Sequence, residues 1–288
     1  MVGQRVIREA ARVLFATERE RAKAESLVGP LRNTSTLPWP VQHVDLQDKA
    51  ERRAAIRSRF AIPDSERVLL YVGRLQRMKR LMETIQAVGR VSDHRTSLIV
   101  VGPDGDLTRK DCQDLCRVRG WSNIHFAGPI YGHEILDFYK AADGFISLSM
   151  KENFGHAVAE ALAAELPIIL SPGVDLAPEL AEVGCGWMLA SATEEAVAKS
   201  IHDFSAASGD SLGEIGARGR RWFDARLSPS VFETKIRQLA YADVDPGELK
   251  LDVSLDAPRE AKPRQKLSST VKKDRKRTRL HSSHPVIS

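Results

Sequence analysis

Two glutamates, Glu152 and Glu160, bracket the residues of this chain best suited to chemistry. Residues 151–167 read Lys-Glu-Asn-Phe-Gly-His-Ala-Val-Ala-Glu-Ala-Leu-Ala-Ala-Glu-Leu-Pro. An Asn153-Phe154-Gly155 turn thus opens a helix between the two carboxylates. Carboxylates accept hydrogen bonds from hydroxyl groups. The free N–H groups at a helix start, here those of Phe154, Gly155, His156 and Ala157, hold phosphate oxygens. A ligand carrying both hydroxyls and phosphates suits this combination. Spacing alone leaves a second reading open, two solvated helix-end glutamates, one of them favourable to the helix dipole. His156 has the chemistry of an acid or base, but the helix start disfavours its protonated form. A polar surface residue is the simpler reading of it.

A second group lies at Gly73-Arg74-Leu75, with Lys79 five residues after Arg74. Glycine lets the backbone turn tightly beside a ligand. An arginine fork and a lysine point charge on one loop would neutralise a diphosphate. The same spacing fits a strand-end glycine with two solvated cations. Ser171-Pro172-Gly173, with Glu179 beyond, offers another turn open to close approach by a sugar, or an ordinary strand-to-helix loop. Asp104 and Asp106 have the type of cation ligands but no partners in sequence.

The elements that must position these residues alternate regularly. Residues 68–72 and 97–101 are continuous apolar runs, the mark of strands buried on both faces. Shorter strands are expected at 124–126, 144–148, 167–170 and 186–189, and helices at 81–91, 107–119, 133–142, 156–164 and 175–182. Helices continue through 193–242. This rhythm predicts an α/β fold with a doubly wound parallel sheet. Ligands of such sheets bind beyond the carboxyl ends of the strands, where Gly73, Gly102, Gly128 and Glu152 all fall. Before the alternation, a strand at 12–17, a helix at 18–27 and an extended stretch at 34–41 make a piece too small for a domain. A charged helix at 45–60 reads as a connector. The expected divisions are 1–42, a connector 43–65, a ligand-binding unit 66–227, a helical segment 228–244 and a tail 245–288.

Composition bounds the rest. The 288 residues are 42% hydrophobic, ordinary for a globular chain. No apolar run reaches the ~20 residues that span a membrane, and the N-terminal residues lack a signal-peptide core. The cytoplasm, or the inner face of its membrane, is the expected place. Cys112, Cys116 and Cys185 are too few for a disulfide framework and read as reduced structural thiols. The net charge is +5, and residues 245–288 carry all of that excess. That tail has no apolar periodicity and reads as disordered. It has no aromatic residues for stacking, so no specific nucleic-acid partner is expected.

Taken together, these motifs resemble the C-terminal, donor-binding domain of the GT-B glycosyltransferases, most nearly the retaining group called glycosyltransferase family 4. The Gly73 to Lys79 loop resembles the family's Gly-Arg-Leu-x-x-x-Lys. The Glu152 to Glu160 segment resembles its two-glutamate motif, and the following Leu-Pro-Ile-Ile strand and Ala-Pro-Glu-Leu helix start also fit. The likeness is strong over 68–189, weaker around that and absent from the tail. It implies a Rossmann-like fold and a nucleotide-sugar donor. Gly73, Arg74, Lys79 and the Asn153-Phe154-Gly155-His156 turn would hold that donor. Glu152 would approach the donor sugar as the catalytic residue, and Glu160 would hold the ribose. Transfer would go to a carbohydrate or glycolipid acceptor, with retention, no protein nucleophile, no cofactor and no metal.

Three departures stand against the family pattern. Glu165 occupies a position usually held by glycine, at a cost of ~1–2 kcal/mol if the backbone there is left-handed. Arg80 stands where glycine often follows the lysine. Only a remnant of the N-terminal, acceptor-binding domain is recognisable, which implies weak transfer by this chain alone, or a separate N-terminal half as partner. Two other readings stand beside the transferase. One is a nucleotide-sugar epimerase of similar fold. The other is a non-catalytic module whose basic tail docks on an anionic surface.

Overall fold

The computed structural model describes residues 2–91 and 95–241. The chain opens with α1 (Val2–Glu9), β1 (Val13–Phe15), α2 (Glu18–Val28) and β2 (Thr34–Thr36). β1 and β2 pair in parallel as a separate two-stranded sheet. The helix α1 was not expected from sequence. The charged helix α3 spans Lys49–Phe60, shorter than the expected 45–60. The Asp45 side chain accepts the Gln47 N–H at 3.0 Å, and such local bonds compete with helix.

Six strands follow: β3 (Arg67–Val72), β4 (Thr96–Val101), β5 (Ile124–Gly128), β6 (Gly144–Ser147), β7 (Ile168–Leu170) and β8 (Gly186–Met188). The helices between them are α4 (Leu81–Arg90), α5 (Arg109–Arg119), α6 (Glu134–Ala141), α7 (His156–Ala163) and α8 (Ala177–Val183). The strands form one parallel sheet in the order β5-β4-β3-β6-β7-β8. Three helices close the described chain: α9 (Glu194–Ala206), α10 (Gly209–Arg226) and α11 (Pro229–Tyr241). The fold is a Rossmann-like α/β sheet, as expected. The tail 245–288 lies outside the described residues.

The apolar runs are continuous because each strand feeds two cores. Val68, Leu70, Ile99, Val101, Phe145, Ile168 and Leu170 point to one side, where α3, α6, α7 and α10 cover them with Ile56, Phe138, Leu162 and Phe223. Leu69, Tyr71, Leu98, Val100, Ile146 and Ile169 point to the other, covered from α4, α5 and α9 by Ile85, Cys112 and Phe204. Alternate side chains of a strand face opposite sides, so both parities must be apolar. The three cysteines are free and buried.

Asp143, just before β6, ties α3 to the sheet. It accepts from Arg53 at 2.7 Å, Arg57 at 3.0 Å and the Val68 N–H at 2.8 Å. Both glycine departures prove to sit on left-handed backbone, with φ of +52° at Arg80 and +58° at Glu165. Among the described residues no helix is long and apolar enough to cross a membrane.

Candidate functional site

The order of the sheet decides where a site forms. From β3 the chain moves outward to β4 and β5, then returns to place β6 on the other side of β3. The loops leaving β3 and β6 therefore lie at the switch point of the sheet; in open α/β sheets the crevice at the carboxyl edge of such a point is where ligands bind. The β3 loop carries Gly73, Arg74 and Lys79. The β6 loop carries Glu152 to Gly155.

The β3 loop is fixed from beneath. The Gly73 N–H donates to Val101 O at 3.0 Å and the Leu75 N–H to Pro103 O at 2.9 Å, so pairing continues past the strand ends. Gly102 permits this, since a Cβ there would lie 1.9 Å from Gly73 O. The Tyr71 hydroxyl donates to Arg74 O at 3.1 Å. Asp106 accepts the Arg77 N–H at 3.0 Å, and Asp104 accepts the Arg109 N–H at 2.8 Å. These aspartates anchor loops. The Arg77–Lys79 turn then directs Lys79 across the crevice, where its ammonium pairs with the Glu152 carboxylate. The two loops also touch through the backbone, Met150 N–H to Met78 O at 2.8 Å. Arg74 is exposed beside them.

The β6 loop rests on the turn after β7. The Glu152 N–H donates to Gly173 O at 3.0 Å, and Glu152 O accepts the Asp175 N–H at 2.9 Å. Gly173 is needed for a different reason than sequence suggested. A Cβ there would lie 2.2 Å from Ser149 O, so the residue admits the close approach of the protein's own backbone. Glu179 turns away toward Arg226 of α10.

Phe154 is 3% exposed, its ring packed in the core. Its ring anchors the turn to the core beneath. Gly155, at φ +85°, precedes α7 and offers no side-chain cap, so the first N–H groups of α7 remain available. Asn153 and His156 are exposed, and the His156 ring stands edge-on to Phe154, centroids 5.0 Å apart.

Glu160 sits one turn further into α7, half-buried. It accepts the Tyr139 hydroxyl at 2.7 Å. Burial raises its carboxyl above the ordinary value, against the opposing effects of Tyr139 and the nearby His156. Tyr139, on α6, is itself fully buried, and its phenol is pushed well above the usual range by burial and by Glu160. Sequence reading passed over it. The one available signal was general, that a buried tyrosine needs a hydrogen-bond partner. Asp175 was also passed over. No group of three or more potential metal-ligating side chains occurs among the described residues.

The structure thus joins one cation, Lys79, to one carboxylate, Glu152, beside the uncapped start of α7, with Arg74 exposed on the β3 loop and Glu160 bonded to Tyr139 further along α7. A family model described as "Glycosyl transferases group 1" matches residues 52–222, which include all of these groups. The putative teichuronic acid biosynthesis glycosyltransferase TuaC of Bacillus subtilis is 30% identical over 169 residues, 58% of this chain and 40% of TuaC. The D-inositol 3-phosphate glycosyltransferase of Streptomyces avermitilis is 27% identical over 218 residues, 71% of this chain and 47% of that protein. The chain therefore spans less than half the length of these curated relatives. Among solved structures, Anabaena Alr3699/HepE in complex with UDP superposes with a TM-score of 0.72 at 16% identity, over 82% of this chain and 65% of that one.

Proposed function

We propose that this chain, which belongs to the glycosyl transferases group 1 family, binds a nucleotide-diphosphate sugar in the β3/β6 crevice and takes part in transfer of its glycosyl group. The observation that carries the reading is the Lys79–Glu152 pair. It spans the switch point and sets a cation, a carboxylate and the bare start of α7 at one place. The relatives named above are glycosyltransferases, and one structural neighbour binds UDP.

In this reading the diphosphate lies against the first N–H groups of α7 and takes the Lys79 ammonium from Glu152. Arg74, exposed on the same loop, closes on it from the solvent side. Glu152, released, accepts hydroxyls of the donor sugar. Glu160, held in place by Tyr139, accepts the ribose hydroxyls. When the bond from the anomeric carbon to the diphosphate oxygen breaks, negative charge grows on that oxygen. Fixed donors aimed at developing charge are the main electrostatic means of lowering such a barrier. The acceptor, a carbohydrate or lipid-linked hydroxyl, bonds to the same anomeric carbon. Retention follows if it enters on the face that the diphosphate leaves, its proton passing to the departing phosphate. In this reading no resident metal or cofactor takes part.

The epimerase reading finds no support in the family or the relatives matched. A surface-binding role for the tail concerns residues outside those described. Calorimetry against a panel of nucleotide-sugars, UDP-glucose among them, tests the donor site with Glu160→Ala as control. Micromolar to millimolar binding to at least one donor is expected, lost in the variant. Failure to bind any donor removes the reading.

A further inference from the structure

Asp175 lies where the turn after β7 meets the N-terminal segment, and its side chain has no solvent exposure. Two cations of α2 reach it. The Lys23 ammonium is 2.6 Å from Oδ1, and Arg19 Nε is 3.7 Å from the same oxygen. Arg19 also donates to Pro172 O at 2.7 Å. The second carboxylate oxygen, Oδ2, is buried without a hydrogen-bond partner. A carboxylate in that condition depends on its ion pairs, because desolvation of an uncompensated charge is costly. Lys23 and Arg19 are one turn apart on one face of α2, so both bear on the same turn.

That turn is the one on which Glu152 rests. Gly173 accepts from the Glu152 N–H, and the Asp175 N–H donates to Glu152 O. The backbone of Glu152 is thereby clasped on both sides by residues 173–175. The chain of contacts runs without a gap from α2, through the Asp175 carboxylate, to the residue that faces Lys79 across the crevice.

We propose that Arg19, Lys23 and Asp175 are positioning residues, through which α2 fixes the backbone of Glu152 and so the aim of its carboxylate. The clasp itself is independent of any ligand. Its consequence for binding rests on the donor-site reading. A simple surface ion pair would instead change global stability and leave Glu152 no more mobile than its neighbours.

Amide hydrogen exchange, followed by NMR on the full chain, separates the two. Lys23→Met is expected to speed exchange at the Glu152 and Asp175 amides at least tenfold. The Leu98 amide, bonded within the sheet to Asn123 O, should keep its rate. Lys23→Arg should restore the parent rates, and Arg19→Gln should act in the same direction as Lys23→Met. UDP-glucose titrations of the same proteins should show affinity weakened several-fold in Lys23→Met and recovered in Lys23→Arg. Unchanged exchange at Glu152 and Asp175, or equal acceleration at Leu98, overturns the proposal. If Lys23→Met does not fold, Arg19→Gln decides by the same criteria, its contact with the carboxylate being the longer one. If the parent does not bind UDP-glucose, the donor reading for that sugar fails while the exchange data still judge the clasp.

Discussion

Glu160, the proposed ribose-binding residue, is also a carboxylate whose burial should cost the fold stability. Burial raises its carboxyl above the ordinary value of 4.5 in the folded chain. Between that value and the raised one, the folded state holds more protons than the unfolded state, so stability falls as pH rises through the window. Above the window the full penalty persists. Glu160→Gln is therefore expected to raise Tm at pH 7 and to leave it unchanged below about pH 4. Scanning calorimetry at the two pH values checks this. The same variant should bind UDP-glucose at least tenfold more weakly, since an amide accepts ribose hydroxyls less strongly than a carboxylate. Lys79→Met should behave differently. Both partners of the Lys79–Glu152 pair are partly exposed, at 29% and 24%, so the cost in stability is within about 1 kcal/mol. Loss of the charged hydrogen bond proposed to the diphosphate, roughly 1.5–3 kcal/mol, should weaken binding by about 10- to 100-fold in a titration.

At the scale of elements, the loops and helix ends carry the strain. Arg80 opens α4 and Glu165 follows α7, each on left-handed backbone, where a side chain costs roughly 1–2 kcal/mol. Arg80→Gly and Glu165→Gly should each stabilise the chain by about 1 kcal/mol in urea unfolding, less what glycine adds in unfolded-state entropy. Lower stability in both variants would show that their side chains contribute more than the strain removes. Such contacts exist, for Arg80 donates to Ala192 O at 3.2 Å. The carbonyl of Glu165 also sets how close α10 can come. A Cβ on Gly216 would stand 2.0 Å from it, so Gly216→Ala should destabilise by roughly 1–3 kcal/mol in the same assay.

Across the whole molecule, the crevice lies between loops drawn from β3, β6 and β7, so a bound donor should brace them together. Any ligand that binds only the folded chain raises its stability by mass action, by about 2.7 kcal/mol at a hundredfold excess over Kd. UDP-glucose should therefore raise Tm in proportion to the logarithm of its concentration, and Glu160→Ala should abolish the shift.

Much of this was open to a reader of the sequence. The runs at 68–72 and 97–101, with apolar residues at both parities, already required strands covered on two sides. The turn chemistry at Gly73 and Gly155 marked the loops of the candidate site, and the departure at Glu165 marked one place where strain would sit. These are local properties, set by side-chain periodicity and backbone sterics within a few residues. What only the tertiary structure decided is which of those loops face each other. Lys79 and Glu152 are 73 residues apart, and they meet because β6 returns beside β3. Periodicity does not encode strand order. The same holds for Tyr139 beneath Glu160, for the backbone of Ser149 against Gly173, and for the α2 cations on Asp175. Each depends on elements brought together by packing two cores against one sheet, a property of the whole chain's burial rather than of any segment in it.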